Sequence, residues 1–403
     1  MTYRKVGVIG LGYVGLPLVN QLIKKKFNVV GYDINSKKIN EITKLRKFKK
    51  ANLTSHYKDL KDRNFFIICV PTPINKKKKP DLGPLKLASK IVGKNLDLND
   101  IVVYESTVFP GCTEDICIPI LEKFSELKIN KDFFCGYSPE RINPEDKKHT
   151  LENIIKVTSG SNKYSSKIID KFYKKIIPAG TYLAESIKIA ESAKIIENVQ
   201  RDLNIALVNE LSLIFDRMKL DTHKILKAAS TKWNFISFKP GLVGGHCIGV
   251  DPYYLTYKSQ QLKYKPKIIL AGRKVNDNMP NEIAKNVINN ISKKKTEIKN
   301  KKVLIIGYSF KENSKDIRNT KVLNLFKNLK RKIDHIDIYD PIVDTKEIFK
   351  EHKIIVKNRL DKKNFYDALV LAVPHEKIIK DGKNKIMKYL KKKSLIIDIK
   401  KVL

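Results

Sequence analysis

The chain has few cysteines: Cys69, Cys112, Cys117, Cys135 and Cys247 are the five in 403 residues. Their number is odd and no two form a CxxC pair. That argues against a disulfide framework and a zinc ribbon, and it favours a reducing cytoplasm; no metal site is read. No run of about 18 apolar residues occurs, so no membrane-spanning helix is expected. The opening MTYRKVGVIGLGYVG has no short apolar region followed by a small-residue cleavage site. It passes straight into a strand pattern, so no signal peptide is expected there. Acidic residues are scarce, with 42 Asp and Glu against 81 Lys and Arg, a net charge of +39. The direct reading of such an excess is a polyanionic partner. The lysines are scattered, however, and the densest runs (Lys76–Lys79, Lys293–Lys295, Lys391–Lys393) lack interleaved aromatics. The excess therefore reads as compositional bias, with a field attracting anionic small substrates as the remaining alternative. No nucleic-acid partner and no membrane are expected.

A length of 403 residues with 42% apolar content supports two or three globular domains. The first third reads as a dinucleotide site. An apolar run, Lys5 to Ile9, leads into GLGYVG; a helical pattern runs from Leu16 to Ile23; Asn28 to Asp33 is a second strand ending in an acid. In this order Gly10 makes the tight turn, Gly12 admits the pyrophosphate to the backbone, and Gly15 lets helix and strand pack. The helix N-terminus offers free N–H groups to phosphate. Asp33, eighteen residues after Gly15, would accept from the adenosine ribose, which favours NAD over NADP. Lys38 stands close enough to complicate that choice. Further strands end at Val70, before Pro71-Thr72-Pro73, and at Tyr104, before Glu105-Ser106-Thr107. Loops at the carboxyl ends of parallel strands bind ligands, so Thr72 and Thr107 are candidates to face the cofactor, with turn chemistry as the alternative. The strand from Phe133 runs into Ser138-Pro-Glu140-Arg141-Ile142. Glu140 there reads as a general base or as a surface ion pair with Arg141.

From Ser186 apolar residues recur at three and four, and no Gly or Pro interrupts Thr181 to Lys239. Lys194, Asn198 and Arg201 share one face of that helix, fit to receive an oxyanion and a phosphate, or simply a solvated stripe. A long helix between two α/β units is also a candidate dimer surface. Then comes GLVGGHCIGVDPYY, Gly241 to Tyr254, which sets Cys247 among four glycines with Asp251 four residues on. A thiolate is a strong nucleophile and the glycines allow close approach; a buried inert thiol in a tight turn is the alternative. The last third repeats the α/β pattern from about Lys299. Lys302 to Gly307 resembles the first strand and turn without the full glycine fingerprint, with Lys311 and Arg318 flanking the turn and Lys400 beyond the last strand. The expected fold is α/β: two Rossmann-like, doubly wound parallel-sheet domains joined by a long helical domain. The expected boundaries are 1–180 for the NAD domain, 181–298 for the helical domain with the cysteine and dimer surface, and 299–403 for a second nucleotide-binding unit. Two such units facing each other would make a cleft.

The runs GLGYVGLP, VPTP, ESTVFPG, SPERI, AKIIENVQRD, GLVGGHCIGVDPYY, FKENSKDIRNT and IIDIK, in this order, resemble the UDP-glucose/GDP-mannose dehydrogenases over nearly the whole chain. GGHCIGVDPYYL and FKENSKDIRNTK are most similar to the UDP-N-acetylglucosamine (or galactosamine) 6-dehydrogenases of surface-polysaccharide pathways. UDP-glucose and UDP-N-acetylmannosamine are the alternative substrates. One departure is Glu145 where the family commonly has Gly. The resemblance implies oxidation of a sugar C6 hydroxyl to a carboxylate with two NAD reduced, by a homodimer built on the central helix. It implies that Cys247 forms a thiohemiacetal and then a thioester, that Lys194 and Asn198 support the alkoxide, and that Asp251, helped by Thr107, handles water, with Glu140 available for thioester hydrolysis. Substrate-side positions carried over are Glu140, Arg141, Ile142, Lys194, Asn198, Arg201, Gly244, Phe310, Lys311 and Lys400, with Lys232 and Trp233 reaching a neighbouring subunit's substrate. NAD-side positions are Gly10, Gly12, Tyr13, Val14, Gly15, Asp33, Lys38, Thr72, Thr107 and Arg318. Two other classes compete: a basic nucleic-acid binder on a Rossmann-like scaffold, and a two-electron hydroxyacid dehydrogenase, which would need neither Cys247 nor Asp251.

Overall fold

A computed structural model of the protein describes residues 5–45, 48, 51–75, 77–142, 149–292 and 297–403. Glu145 lies outside the described residues, as do Lys76 and Lys293–Lys295. The chain divides into two compact units, Met1–Glu197 with Tyr253–Lys265, and Asn198–Pro252 with Pro266–Leu403. The stretch read as a helical middle is shared between them.

The first unit runs β1 (Lys5–Ile9), α1 (Gly15–Lys24), β2 (Asn28–Tyr32), α2 (Ser36–Thr43), β3 (Asn52–Thr54), β4 (Phe65–Ile68), α3 (Gly83–Gly93), β5 (Ile101–Tyr104), α4 (Ile118–Ser125), β6 (Phe134–Tyr137), β7 (Lys156–Gly160), α5 (Lys163–Ile176) and β8 (Thr181–Leu183). Its eight-stranded sheet has the order β3-β2-β1-β4-β5-β6-β7-β8. All neighbours are parallel except β6 and β7. The central strands β4 (FFII) and β5 (IVVY) are buried at every residue, as strands covered on both faces must be. Reversal of strand order between β1 and β4 makes the crevice at the carboxyl ends of the strands where open α/β sheets bind ligands.

The long helix α6 (Ile187–Arg217) joins the units and is followed by α7 (Thr222–Ala229), α8 (Asp251–Gln261) and α9 (Lys267–Ser292). The second unit continues with β9 (Lys302–Ile306), α10 (Val322–Lys330), β10 (His335–Tyr339), α11 (Thr345–His352), β11 (Tyr366–Leu371), α12 (Glu376–Met387) and β12 (Leu390–Asp398). Its four strands, in the order β10-β9-β11-β12, are all parallel. The architecture is mixed α/β on two sheets, the second wholly parallel and the first parallel but for the β6–β7 pair, as the alternation of apolar runs and helical patterns leads one to expect. Among the described residues no helix is long and apolar enough to cross a membrane.

The two units repeat one device. Gly10 N–H donates to the Tyr32 carbonyl at 2.8 Å and Gly307 N–H to the Tyr339 carbonyl at 2.7 Å. Leu11 N–H donates to Asp33 Oδ2 at 2.9 Å and Tyr308 N–H to Asp340 Oδ2 at 2.7 Å. The fates of the two acids differ. Asp340 is fully buried, accepts from Ser309, Ile342 and Val343 N–H as well, and meets His375 Nε2 at 2.9 Å. In the second unit the acid is consumed by structure, which fits the weaker glycine fingerprint there.

Candidate active site

The first turn is shaped for a phosphate-bearing ligand. Gly10 has φ +92°, and a Cβ on it would stand 2.9 Å from the Cys69 carbonyl oxygen. A Cβ on Gly15 would lie 2.0 Å from the Gly10 carbonyl oxygen, so only glycine lets α1 close on the turn. Gly12 meets nothing within 4 Å, which leaves the backbone open to a ligand beside the N-terminus of α1. Tyr13 is exposed and Val14 half-buried beside it. Asp33 Oδ1 accepts from Asn35 N–H at 3.1 Å, and Oδ2 accepts from Lys38 Nζ at 2.7 Å as well as from Leu11 N–H. Burial alone would raise its pKa, but Lys38 and the two backbone donors hold the carboxyl below the ordinary range. These residues fit a dinucleotide whose ribose hydroxyls meet an ionised acid. Lys38 is paired with that acid, so its charge is not spare for a 2′-phosphate. We expect kcat/KM for NAD to exceed that for NADP by about tenfold or more, a difference of ~1.4 kcal/mol. Initial rates with both cofactors check this, and comparable values would contradict it.

At the ends of β4 and β5, Thr72 Oγ1 donates to the Thr107 carbonyl at 2.7 Å, and Tyr254 Oη donates to the Thr72 carbonyl at 2.6 Å. The Thr72 hydroxyl therefore spends its proton joining two loops, and only its acceptor side is left for a ligand. Glu140 is buried rather than on the surface, and its partner is not the Arg141 side chain. Lys156, a buried lysine on β7, donates to Glu140 Oε2 at 3.0 Å and to Glu105 Oε2 at 2.9 Å. Glu140 Oε1 accepts from Arg141 N–H at 2.7 Å and Ile142 N–H at 2.8 Å. Burial would raise the Glu140 pKa, but Lys156 and these N–H groups bring it below the usual value. Three donors thus meet the carboxylate, two on Oε1 and one on Oε2, so a proton from water would have to come to Oε2 beside the Lys156 ammonium. The Arg141 side chain turns instead to Glu197 Oε1, 2.8 Å from Nη2, and to the Ile155 carbonyl at 2.8 Å.

In the second unit Cys247 is the one exposed cysteine of the five. Its carbonyl accepts from Val250 N–H at 3.0 Å and Asp251 N–H at 2.8 Å, so the thiol rides on a closed turn that opens α8. Asp251 is buried, and Asn198 Nδ2 donates to its Oδ2 at 2.5 Å. The resemblance gave Asn198 to the alkoxide; the structure adds Asp251 as a partner, and the amide's second N–H is a further donor. Gly245 has φ +81°, and a Cβ there would lie 2.5 Å from the Phe310 ring; one on Gly244 would lie 2.7 Å from the Asn319 carbonyl. The glycine run is what lets Phe310 and Asn319 press against the cysteine loop. Lys311 Nζ lies 5.2 Å from the Phe310 ring centroid, and Lys400 pairs with Glu312. Arg318 is bidentate on Asp316 at 2.9 and 2.7 Å, and His246 Nε2 meets the same carboxylate at 3.1 Å. Burial opposes ionisation of Asp316, but His246 and Arg318 drive its pKa far down.

Along α6, Lys194 is buried, Asn198 half-buried and Arg201 exposed. Lys232 is exposed and Trp233 is 92% exposed. Lys156, Asn209 and Asn319 went unread in the sequence. Only Asn319 carried a signal, its place inside the quoted run FKENSKDIRNT.

Three family profiles match the chain: the UDP-glucose/GDP-mannose dehydrogenase family NAD binding domain over residues 4–177, its central domain over 188–278, and its UDP binding domain over 304–403. The chain is 51% identical to the UDP-N-acetyl-D-glucosamine 6-dehydrogenase of Salmonella typhi, over 99% of this chain and 96% of that one. It is 48% identical to Protein CapL of Staphylococcus aureus, over 99% and 96%. Among solved structures, a UDP-D-ManNAc dehydrogenase from Pyrococcus horikoshii superposes with a TM-score of 0.88 at 27% identity, covering 99% of this chain and 96% of that one. The cofactor is NAD, in agreement with the Asp33 turn. With profiles covering all three segments and half its residues identical to a relative it matches end to end, the chain belongs to the UDP-glucose/GDP-mannose dehydrogenase family.

Proposed function

We propose that this NAD-dependent oxidoreductase converts the C6 hydroxyl of UDP-N-acetylglucosamine, or its C4 epimer, to a carboxylate for surface-polysaccharide synthesis. The observation that carries the chemistry is the exposed Cys247 thiol on a turn closed by Asp251, whose buried carboxylate is bonded by Asn198. A two-electron hydroxyacid dehydrogenase needs no such thiol. The substrate rests on the relatives' names and on the runs GGHCIGVDPYYL and FKENSKDIRNTK. Turnover of the purified protein with a panel of UDP-sugars, followed at the NADH absorbance, tests it. UDP-N-acetylglucosamine or UDP-N-acetylgalactosamine should give the highest kcat/KM; UDP-glucose or UDP-N-acetylmannosamine in first place would overturn the substrate.

When bound, NAD supplies a hydride acceptor for each of the two oxidations. The chain does the rest. Lys194 takes the C6 hydroxyl proton and supports the alkoxide, and Asn198 donates its second N–H to the same oxygen. Cys247 Sγ adds to the aldehyde carbon, forming a C–S bond and a thiohemiacetal; loss of the second hydride leaves a thioester. Water then adds at that carbon and the C–S bond breaks, releasing thiolate and carboxylate. Asp251 takes the water's proton, and Thr107 is assigned to the same water. Glu140, committed to Lys156, holds the backbone of Arg141 and Ile142, which bind substrate with Arg201, Gly244, Phe310, Lys311 and Lys400. Gly10, Gly12, Tyr13, Val14, Gly15, Asp33, Lys38, Thr72 and Arg318 are assigned to NAD.

The labour divides over three segments, 1–180 for NAD, 181–298 for the cysteine and self-association, and 299–403 for UDP. The profile limits support this division. We take the assembly to be a homodimer on α6. Ile189, Ile196, Leu207 and Ile214 are exposed there, seven, eleven and seven residues apart, which keeps them within about 20° of one line on a helix. The exposed Lys232 and Trp233 are assigned to the other subunit's substrate. Five cysteines with no disulfide among them support a cytoplasmic setting.

A further inference from the structure

The second unit contains a chain of buried polar side chains that the chemistry above does not use. Asn209, on α6, is fully buried. Its carboxamide takes both backbone groups of Gly241: Nδ2 donates to the carbonyl at 3.0 Å and Oδ1 accepts from the N–H at 2.8 Å. The amide thereby acts as a rung of sheet would, and it fixes the residue where the cysteine loop begins. The remaining Nδ2 proton goes to Asn276 Oδ1 at 2.8 Å, and Asn276 Nδ2 donates to the Asp202 carbonyl at 2.9 Å and to Asp202 Oδ1 at 2.7 Å. Asp202 Oδ1 also accepts from Arg273 Nη1 at 2.6 Å. Arg273 Nη2 donates to Asp277, which in turn pairs with Lys321 at 2.8 Å.

The order of donors leaves no freedom. Asp202 offers only acceptors, so Asn276 must present its NH2 to it and its oxygen to Asn209. Asn209 must then present its NH2 to Gly241's carbonyl and its oxygen to Gly241's N–H. An ion pair between α6 and α9 thus sets the orientation of the amide that holds the loop. Closer to the thiol, Asn319 Nδ2 donates to the Gly245 carbonyl at 3.0 Å, two residues before Cys247. Buried amides are costly unless every group is paired. Leu or Val would fill an α6–α9 contact at less cost, so the network calls for a task, and the loop is what it touches.

We propose that Asn209, with Asn319 as the second anchor, is a positioning residue for the thiol half of the reaction, holding the backbone at Gly241 and at Gly245 so that Cys247 Sγ meets the C6 carbon in line. This rests on the reading of Cys247 as nucleophile. The first oxidation does not use the thiol, so once UDP-sugar is bound (Gly244 of the loop being assigned to that binding) displacement of the loop slows the second oxidation selectively, whereas general loss of structure slows both.

The test uses the full-length protein as wild type, N209A, N319G and C247S, under single turnover with UDP-N-acetylglucosamine and saturating NAD. N319G keeps the left-handed backbone of Asn319, φ +55°, on an exposed residue, and so it folds even if N209A does not. The expected result is a first NADH at close to the wild-type rate, a second slowed about tenfold or more, and an unchanged KM for NAD. Wild-type rates for both steps in N319G and in folded N209A, or a parallel fall in both steps, would overturn the proposal. C247S separates the two readings. If it keeps the second step, the nucleophile assignment itself fails; if it alone loses that step, only the positioning role fails.

Discussion

Replacing Cys247 by Ser is expected to abolish net turnover while sparing the fold and the binding of NAD and UDP-sugar. Serine is nearly isosteric, and Cys247 is exposed on a turn held through its backbone carbonyl, so the turn's closure does not depend on sulfur. The proposed chemistry does depend on it. A hydroxyl is a far poorer nucleophile than a thiolate, and an ester is a poorer acyl donor to water than a thioester. We expect a fall of about 10³-fold or more in kcat, in line with removal of a nucleophile elsewhere. One slow equivalent of NADH, or a trace of aldehyde, should survive because the first oxidation needs no thiol. Steady-state rates and a single-turnover trace on the same sample check both halves.

The second large effect belongs to Lys194. Its side chain is buried on α6 one turn before Asn198, so it acts in a setting with little water to screen it. Lys194→Ala is expected to lose the first hydride step as well as the second, because the alkoxide that forms before hydride departure has lost its cation. The loss should be about 10²-fold or more in kcat. The two variants therefore separate in one experiment: Cys247→Ser keeps a first NADH and Lys194→Ala does not. A first step at the wild-type rate in Lys194→Ala would remove that residue from the chemistry.

The contrast between these residues and their surroundings shows what the sequence could reveal. The strands were legible because β4 and β5 are unbroken apolar runs, and the dinucleotide turn because Gly10, Gly12 and Gly15 each meet a separate steric demand. Cys247 and Asp251 were legible as a local pair, since four residues on one turn place them together. The partners that decide how these groups behave were not. Lys156, in IIKVTSG, went unread, yet it is buried between Glu105 and Glu140, which come from the ends of other strands. Glu140 reads as a general base or as a surface ion pair with Arg141, and only tertiary structure buries it against Lys156 and sends Arg141 to Glu197. Asn209 and Gly241 are 32 residues apart, and Asp202 and Arg273 are 71 apart. Contacts at such separations leave no periodicity to read. Asp33 and Asp340 make the converse point: two acids at equivalent strand ends, one met by two backbone donors and Lys38, the other by four backbone donors and His375.

We propose a four-electron oxidation that passes through a covalent bond to Cys247. It is tested most directly by counting NADH formed per UDP-N-acetylhexosamine consumed in the wild type, with intact-protein mass spectrometry on an Asp251→Asn variant stopped during turnover. Two NADH per sugar are expected, with an adduct of one UDP-sugar acyl group that maps to Cys247. One NADH per sugar, or a variant that stalls with no adduct on that thiol, would contradict it.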